Sequence, residues 1–176
     1  AIHTQNRISH HQLSQELRLT SHPNSAFTSV SGVYFLREQA SDHVLVDIFP
    51  ELFTAINLPL SLEGPYFTQA TSYAAYAQGE WEFLADWFLT LGGRYTKETK
   101  HFRMAQKIRD VDQFLLPNTT FTKTIEEFTP QVSIGWRPRN DTHVFLSYSE
   151  GFKSGGYVAR YIAPTARPIE FEPEFV

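Results

Sequence analysis

The sequence predicts an all-β protein: an antiparallel transmembrane β-barrel segment of about six strands with long extracellular loops, the barrel being incomplete. Three observations carry this. Apolar and polar residues alternate with period two along several segments, the connections between those segments alternate short and long, and aromatic rings collect at the segment ends. Composition agrees, since 15 Phe, 8 Tyr and 3 Trp in 176 residues make the chain 15% aromatic against 19% charged, and large rings favour strands.

The first candidate pair is Gln15 to Thr20, where Leu17 and Leu19 alternate with Glu16 and Arg18, and Phe27 to Arg37, which returns after His22-Pro23-Asn24. The second is the clearest. From Ser72 to Phe83, the odd positions Tyr73, Ala75, Ala77, Gly79, Trp81 and Phe83 oppose Ser72, Tyr76, Gln78, Glu80 and Glu82. After Leu84 to Asp86, the residues Trp87, Leu89, Leu91, Gly93 and Tyr95 oppose Thr90, Gly92, Arg94 and Thr96. In the third pair, Phe128, Val132, Ile134 and Trp136 alternate with Glu127, Thr129, Gln131, Ser133 and Arg137. A turn at Pro138-Arg139-Asn140-Asp141 follows, built from residues that suit turns. The strand Thr142 to Phe152 then sets Val144, Leu146, Tyr148 and Phe152 against His143, Ser147, Ser149 and Gly151, with Phe145 as an exception on the polar side. Pro130 has no ladder donor and is expected near a strand end or bulge. Strands of about 10 residues suit a tilted crossing of a bilayer.

Short turns near 21–26, 84–86 and 138–141 are expected on the periplasmic side, and the long segments 40–71, 99–124 and 154–170 outside the cell. Aromatics fit two membrane-interface girdles: Trp81, Phe83, Trp87 and Trp136 beside the short turns, and Tyr73, Tyr95 and Phe128 at the opposite strand ends. Between them lie Ala75, Ala77, Leu89, Leu91, Val132 and Ile134. A soluble β-sandwich or carbohydrate-binding module is the alternative, and would bury Tyr73, Ala75, Ala77 and Leu89 against a second sheet.

Strand parity selects Tyr76, Gln78, Glu80, Arg94, Gln131, Ser133, Ser147 and Ser149 as lumen-facing candidates. The rings Phe49, Phe53, Tyr66, Phe67, Phe114 and Phe121 fall in the long connections, where they could contact an aromatic or lipophilic ligand or pack the loops together.

Other function classes find little support. A net charge of −4 offers no basic excess for nucleic acid. Absence of cysteine excludes disulfides, thiol nucleophiles and cysteine-built zinc sites. The longest apolar region, Val44 to Leu62, is interrupted by Asp47, Pro50, Glu51, Asn57 and Pro59, so no helical span is expected. No signal-peptide pattern opens the chain, as expected of mature or internal sequence. His10-His11 and Glu126-Glu127 are neighbours that point to opposite faces of a strand, against a metal pair or a carboxylate pair. Ser147 and Ser149 lie near His143 without a nucleophile elbow, and no phosphate-binding or dinucleotide fingerprint occurs. Neither an enzyme, a metal site nor a cofactor is expected.

Several stretches carry a family resemblance: Ser14-Gln15-Glu16-Leu17-Arg18-Leu19-Thr20-Ser21, Leu91-Gly92-Gly93-Arg94-Tyr95-Thr96, and Phe128-Thr129-Pro130-Gln131-Val132. The most specific is Phe145 to Tyr157, which contains Gly151-Phe152-Lys153-Ser154-Gly155-Gly156, and Phe171-Glu172-Pro173-Glu174 follows it. In order and spacing these resemble TonB-dependent outer-membrane receptors of the iron-complex and siderophore type. In that family the Gly151 to Gly156 signature lies where a strand enters an extracellular loop. Its glycines are accordingly expected to permit bends or positive φ, and Lys153 to face water or the lumen.

The resemblance implies a receptor in the outer membrane of Gram-negative bacteria, in contact with outer-membrane lipid, that imports iron-siderophore or similar nutrient complexes. The ligand would bind extracellular loops and plug apices and enter as the TonB complex remodels the plug. Such transporters are 22-stranded barrels with a plugged lumen, so residues 1–176 would be a partial barrel domain, under about a third of the wall, with the plug region absent.

Overall fold

The computed structural model describes residues 2–21, 26–48, 61–109, 113–139, 141–158 and 168–176. Six long strands, β1 (Ile2–Thr20), β2 (Phe27–Ile48), β3 (Ser61–Leu84), β4 (Trp87–Ile108), β5 (Gln113–Arg139) and β6 (Thr142–Ser149), form one sheet in sequential order. Every neighbouring pair is antiparallel, and the sheet is open, with β1 and β6 at its edges. Four short strands follow among the described residues: β7 (Phe152–Lys153) pairs with β10 (Glu174–Phe175), and β8 (Gly156–Tyr157) with β9 (Glu170–Phe171).

Directly paired residues share a face, so register decides whether the alternation of each strand agrees with its neighbours. It does. Phe27, Trp81, Leu89, Ile134 and Leu146 form one continuous row, as do Leu17, Val33, Ala75, Tyr95 and Phe128. On the other face, Glu80, Thr90, Ser133 and Ser147 are in line, as are Gln78, Gly92, Gln131 and Ser149. A slip of one residue in any strand would mix the two sets.

Strands β1 to β5, of 19 to 27 residues, are about twice the predicted length. The segments 40–71 and 99–124 were expected to be loops. Instead β2 runs on to Ile48, β3 starts at Ser61, β4 reaches Ile108 and β5 starts at Gln113. β1 likewise begins at Ile2 rather than near Gln15. Both faces of these extensions are largely polar, as in Thr119 to Glu127, so the alternation that marks a half-buried strand disappears while the backbone ladder continues. β6 stops at Ser149 instead of reaching Phe152.

The turn between β3 and β4 falls at Ala85 and Asp86, as expected, whereas the turns expected at 21–26 and 138–141 include residues outside the described ones, and β5 runs on through Pro138 and Arg139. Asp86, with φ 68°, takes the left-handed conformation that Asp tolerates, and its carbonyl accepts the Arg137 N–H at 2.8 Å, tying this turn to β5. Pro130 lies in the middle of β5 rather than at its end. Its carbonyl accepts the Glu150 N–H at 3.0 Å, just past the last β5–β6 pair, so its missing donor falls where the β6 ladder stops.

Burial along the sheet is inverted relative to a water-soluble protein. Leu146 is 75%, Phe128 60% and Trp81 52% exposed, whereas Ser72 and Thr96 on the opposite face are only 4% and 6% exposed. Apolar burial is found instead at the end away from the short turns, where Tyr66, Phe102, Met104 and Leu116 form a core with Val44, Phe121 and Tyr157 packed on it.

Gly93 sits beneath the Phe128 ring, and a Cβ there would lie 2.6 Å from Phe128 Cζ. Gly93→Val in the full-length protein is therefore expected to destabilise it by about 1–3 kcal/mol through overpacking. Gly151→Ala, where a Cβ meets nothing within 4 Å, serves as the neutral control. Urea midpoints of both variants in lipid vesicles check this, and equal midpoints would contradict it.

Candidate functional site

The polar face carries linked side-chain groups. Near the short turns, Arg137 pairs with Glu80 (Nη2 to Oε2 3.3 Å) and lies over the Phe88 ring, 3.9 Å from its centroid. Further along, the Tyr76 hydroxyl donates to Glu16 Oε1 at 2.6 Å and accepts from Arg18 Nε at 3.1 Å, while Arg94 covers the Tyr34 ring at 5.4 Å. The register brings all eight parity-selected residues, Tyr76, Gln78, Glu80, Arg94, Gln131, Ser133, Ser147 and Ser149, onto this one face. Glu16, Arg18 and Arg137 join them. Their parity in the sequence was the available signal.

The apolar face carries two aromatic rows. Phe27, Trp81, Trp87 and Trp136 lie beside the short turns, and the last two are stacked with centroids 5.8 Å apart. Phe83 adjoins Trp81 at 6.0 Å. Eight residues higher on each strand come Phe35, Tyr73, Tyr95 and Phe128, a spacing of about 26 Å along the strand.

At the far end the signature segment folds back across the polar face. The Lys100 ammonium donates to Ser154 Oγ (2.6 Å) and the Gly155 carbonyl (2.9 Å), and Ser154 Oγ donates to Glu98 Oε1 (2.7 Å). Lys123 pairs with Glu170 at 2.7 Å and Glu172 at 2.9 Å. The Tyr157 ring stacks on Phe102, with centroids 5.6 Å apart, and touches Phe121 at 5.5 Å. A space of about 260 Å³ remains between this strap and the wall, lined by Glu38, Lys100, Phe102, Tyr157 and Phe171 among others. Lys100 and Lys123 escaped sequence reasoning because they lie in strands mistaken for a loop.

Two expectations need correction. No described glycine has positive φ. Gly155 is needed for close approach instead, because a Cβ there would stand 2.5 Å from the Phe171 carbonyl oxygen; Gly151 faces open space, and Lys153 pairs with Glu174 at 3.7 Å. Of the presumed loop rings, Tyr66, Phe67, Phe114 and Phe121 are strand residues. Tyr66 and Phe121 contribute to the polar-face core, whereas Phe67 lies beneath Arg103 on the other face. Phe49 and Phe53 are outside the described residues. Among the described residues no group of His, Asp and Glu is arranged to hold a metal.

An open, sequentially ordered sheet of long antiparallel strands, apolar and uncovered on one face, defines a wall segment of a β-barrel. The chain belongs to the TonB dependent receptor-like β-barrel family, whose model matches residues 4–175. This is a family of receptors and transporters rather than enzymes. Similar solved structures include the ferric yersiniabactin uptake receptor FyuA from Yersinia pestis, at 18% identity and TM-score 0.83 over 99% of this chain and 26% of that one. The ferric-catecholate import receptor Fiu from E. coli K12, in its closed form, matches at 14% identity and TM-score 0.63 over 84% of this chain and 24% of that one. The siderophore receptor PiuA from Acinetobacter baumannii matches at 12% and 0.63, over 85% and 24%. This chain thus spans about a quarter of the receptors it resembles. No curated protein matches the sequence significantly.

Hydrogen bonds from Lys123 to Glu170 and then Glu172 hold its ammonium pKa above the ordinary value. The attraction is therefore complete at and below the ordinary lysine range and is lost as pH rises through the raised value. Lys123→Met is expected to speed hydrogen exchange at the Val158 and Val176 amides at neutral pH, leaving the β3–β4 ladder unchanged. The same amides in the parent should loosen only at strongly alkaline pH. Exchange unchanged by the substitution would show that Lys123 does not hold the strap.

Proposed function

We propose that this chain is part of the wall of an outer-membrane receptor that imports iron-siderophore complexes, its apolar face against lipid and its polar face toward the lumen. The carrying observation is the inverted burial. Rings and leucines lie uncovered between two aromatic rows while serines and threonines are shielded, which suits a strand with lipid on one side and a polar interior on the other. A β-sandwich would need a second sheet over Tyr73, Ala75, Ala77 and Leu89, and none of the described residues supplies one.

In this reading the short turns are periplasmic and the long strand extensions rise outside the cell. The polar-face groups around Glu16, Tyr76, Arg94 and Glu80 line the lumen. The strap and the Tyr66, Phe102 and Phe121 cluster form the mouth, the buried rings packing the strap onto the wall. Both sheet edges join further strands of a longer chain, since an open edge is not tolerated in lipid. A plug region outside this chain engages the TonB complex. The iron-chelate assignment is supported by the siderophore and ferric-complex receptors that share the fold.

Cysteines placed singly at Leu91 and Gln131 in the full-length protein test the faces, since Leu91 pairs with Val132 and Gln131 with Gly92. Leu91→Cys should react with a lipid-soluble probe and Gln131→Cys with an aqueous one; the reverse pattern, or identical labelling, would reject the orientation. For the substrate, cells lacking the gene should lose uptake of at least one radiolabelled ferric siderophore and regain it on complementation. Unchanged uptake across a catecholate, phenolate and hydroxamate panel would reject the iron-chelate reading.

A further inference from the structure

Strand β6 ends at Ser149, opposite Gln131, whereas β5 continues upward to Gln113. In an antiparallel sheet the backbone groups of alternate residues face opposite neighbours. Two bonds fix the parity in β5: the Arg137 N–H donates to Asp86 on the β4 side, and the Pro130 carbonyl accepts the Glu150 N–H on the β6 side. Register is continuous from Thr119 to Trp136. The N–H and C=O groups of Thr120, Thr122, Thr124, Glu126 and Phe128 therefore point into the lane that β6 leaves empty. All five residues are exposed, and among the described residues no backbone group pairs with theirs on that side.

This edge is held from both faces and bare only along its length. On the outer face, Thr122 Oγ1 meets His101 Nδ1 at 2.9 Å, Thr124 Oγ1 meets Thr99 Oγ1 at 3.2 Å and Glu126 pairs with Lys97 at 2.6 Å, all reaching back to β4. On the polar face, Phe121 lies against Tyr157, Ile125 is buried and Lys123 is neutralised by Glu170 and Glu172. A strand fixed in this way loses little freedom when another strand adds to it. Exposed edges are ordinarily blunted by proline, lysine or a bulge. From Asn118 to Thr129 there is no proline, and Lys123 is turned away from the edge. The lower end of the lane is acidic, since Glu127 and Glu150 have no basic partner among the described residues and stand close to Glu126. A second copy fits poorly. Antiparallel pairing of two β5 edges would invert one barrel in the membrane, and parallel pairing would set like charges together.

We propose that the β5 edge from Thr120 to Phe128 docks a basic, extended segment of a separate polypeptide outside the cell. The segment adds antiparallel to β5 in the lane above β6 and sets a Lys or Arg beside Glu127 and Glu150. Backbone hydrogen bonds supply the affinity, and the acidic end selects the charge of the partner. The lane starts at the upper aromatic row and rises out of the apolar band, where an open edge is compatible with water. The site rests on the outward orientation proposed for these strand extensions.

Full-length protein in phosphatidylcholine nanodiscs, titrated with a peptide of alternating valine and lysine about ten residues long, tests this. The peptide should bind and slow hydrogen exchange at the Thr120, Thr122, Thr124, Glu126 and Phe128 amides. Its N-methylated form, which lacks the backbone donors, should bind about tenfold more weakly or worse. Thr124→Pro removes an edge N–H without touching the β4 ladder and should weaken binding to a similar degree, whereas Thr124→Val should retain it. E127Q and E150Q together should also weaken it, and heat-modifiable gel mobility checks that each variant is folded. No binding by the wild type overturns the site, as does equal binding of the N-methylated peptide or of folded Thr124→Pro. So does protection of these five amides, before peptide is added, equal to that of the β3–β4 ladder, because the protein's own chain would then fill the lane. If Leu91→Cys and Gln131→Cys label as expected while these arms fail, only the docking edge falls; if labelling is reversed, the orientation falls with it.

Discussion

One face of the β1–β6 sheet has no protein layer over it, and the rest of the structure follows from that. Because Leu17, Val33, Trp81, Leu91, Ile134 and Leu146 are uncovered, they have to be served by an apolar surround, and in such a surround every backbone N–H and C=O needs a partner within the sheet. Long, sequentially ordered antiparallel strands meet this demand, because each ladder satisfies its neighbours without threading a loop through the apolar zone. The same constraint makes register strict, since a single slip would put Glu80, Arg94 or Arg18 on the uncovered side.

Beyond the upper aromatic row the constraint relaxes and the sheet changes character. Strands of 22 to 27 residues extend about 70–90 Å, well beyond what an apolar band about 25 Å tall needs even at a steep tilt. In the extensions both faces carry polar side chains, and the apolar residues that remain, such as Met104 and Leu116, turn to the polar-face side, where the returning segment covers them. The signature run acquires a physical role here. Ser154 and Gly155 meet Lys100, Tyr157 covers Phe102, and Lys123 holds Glu170 and Glu172. The motif is an anchor that folds the chain back onto the wall, and its Gly155 is small because the Phe171 carbonyl passes so close.

Where one face was apolar and the other polar, sequence and structure agree residue by residue, as from Tyr73 to Trp81 and from Trp87 to Tyr95. Where both faces were polar, as in Thr119 to Glu126, alternation carried no signal and strand was mistaken for loop. The aromatics Tyr66, Phe67, Phe114 and Phe121 were misplaced for that reason, and Lys100 and Lys123 were overlooked with them. Phe102 and Tyr157, 55 residues apart, met through a fold-back that no local pattern encodes.

The sequence by itself determined the strand type, the two faces, the β3–β4 turn and the family, because period-two alternation, turn chemistry and motif spacing are local properties of the chain. Only the tertiary structure decided how far the strands extend, which row each residue joins and what the signature segment touches. Those outcomes depend on cross-strand hydrogen bonds and on contacts between residues distant in sequence, where partner and register are chosen together by the whole sheet.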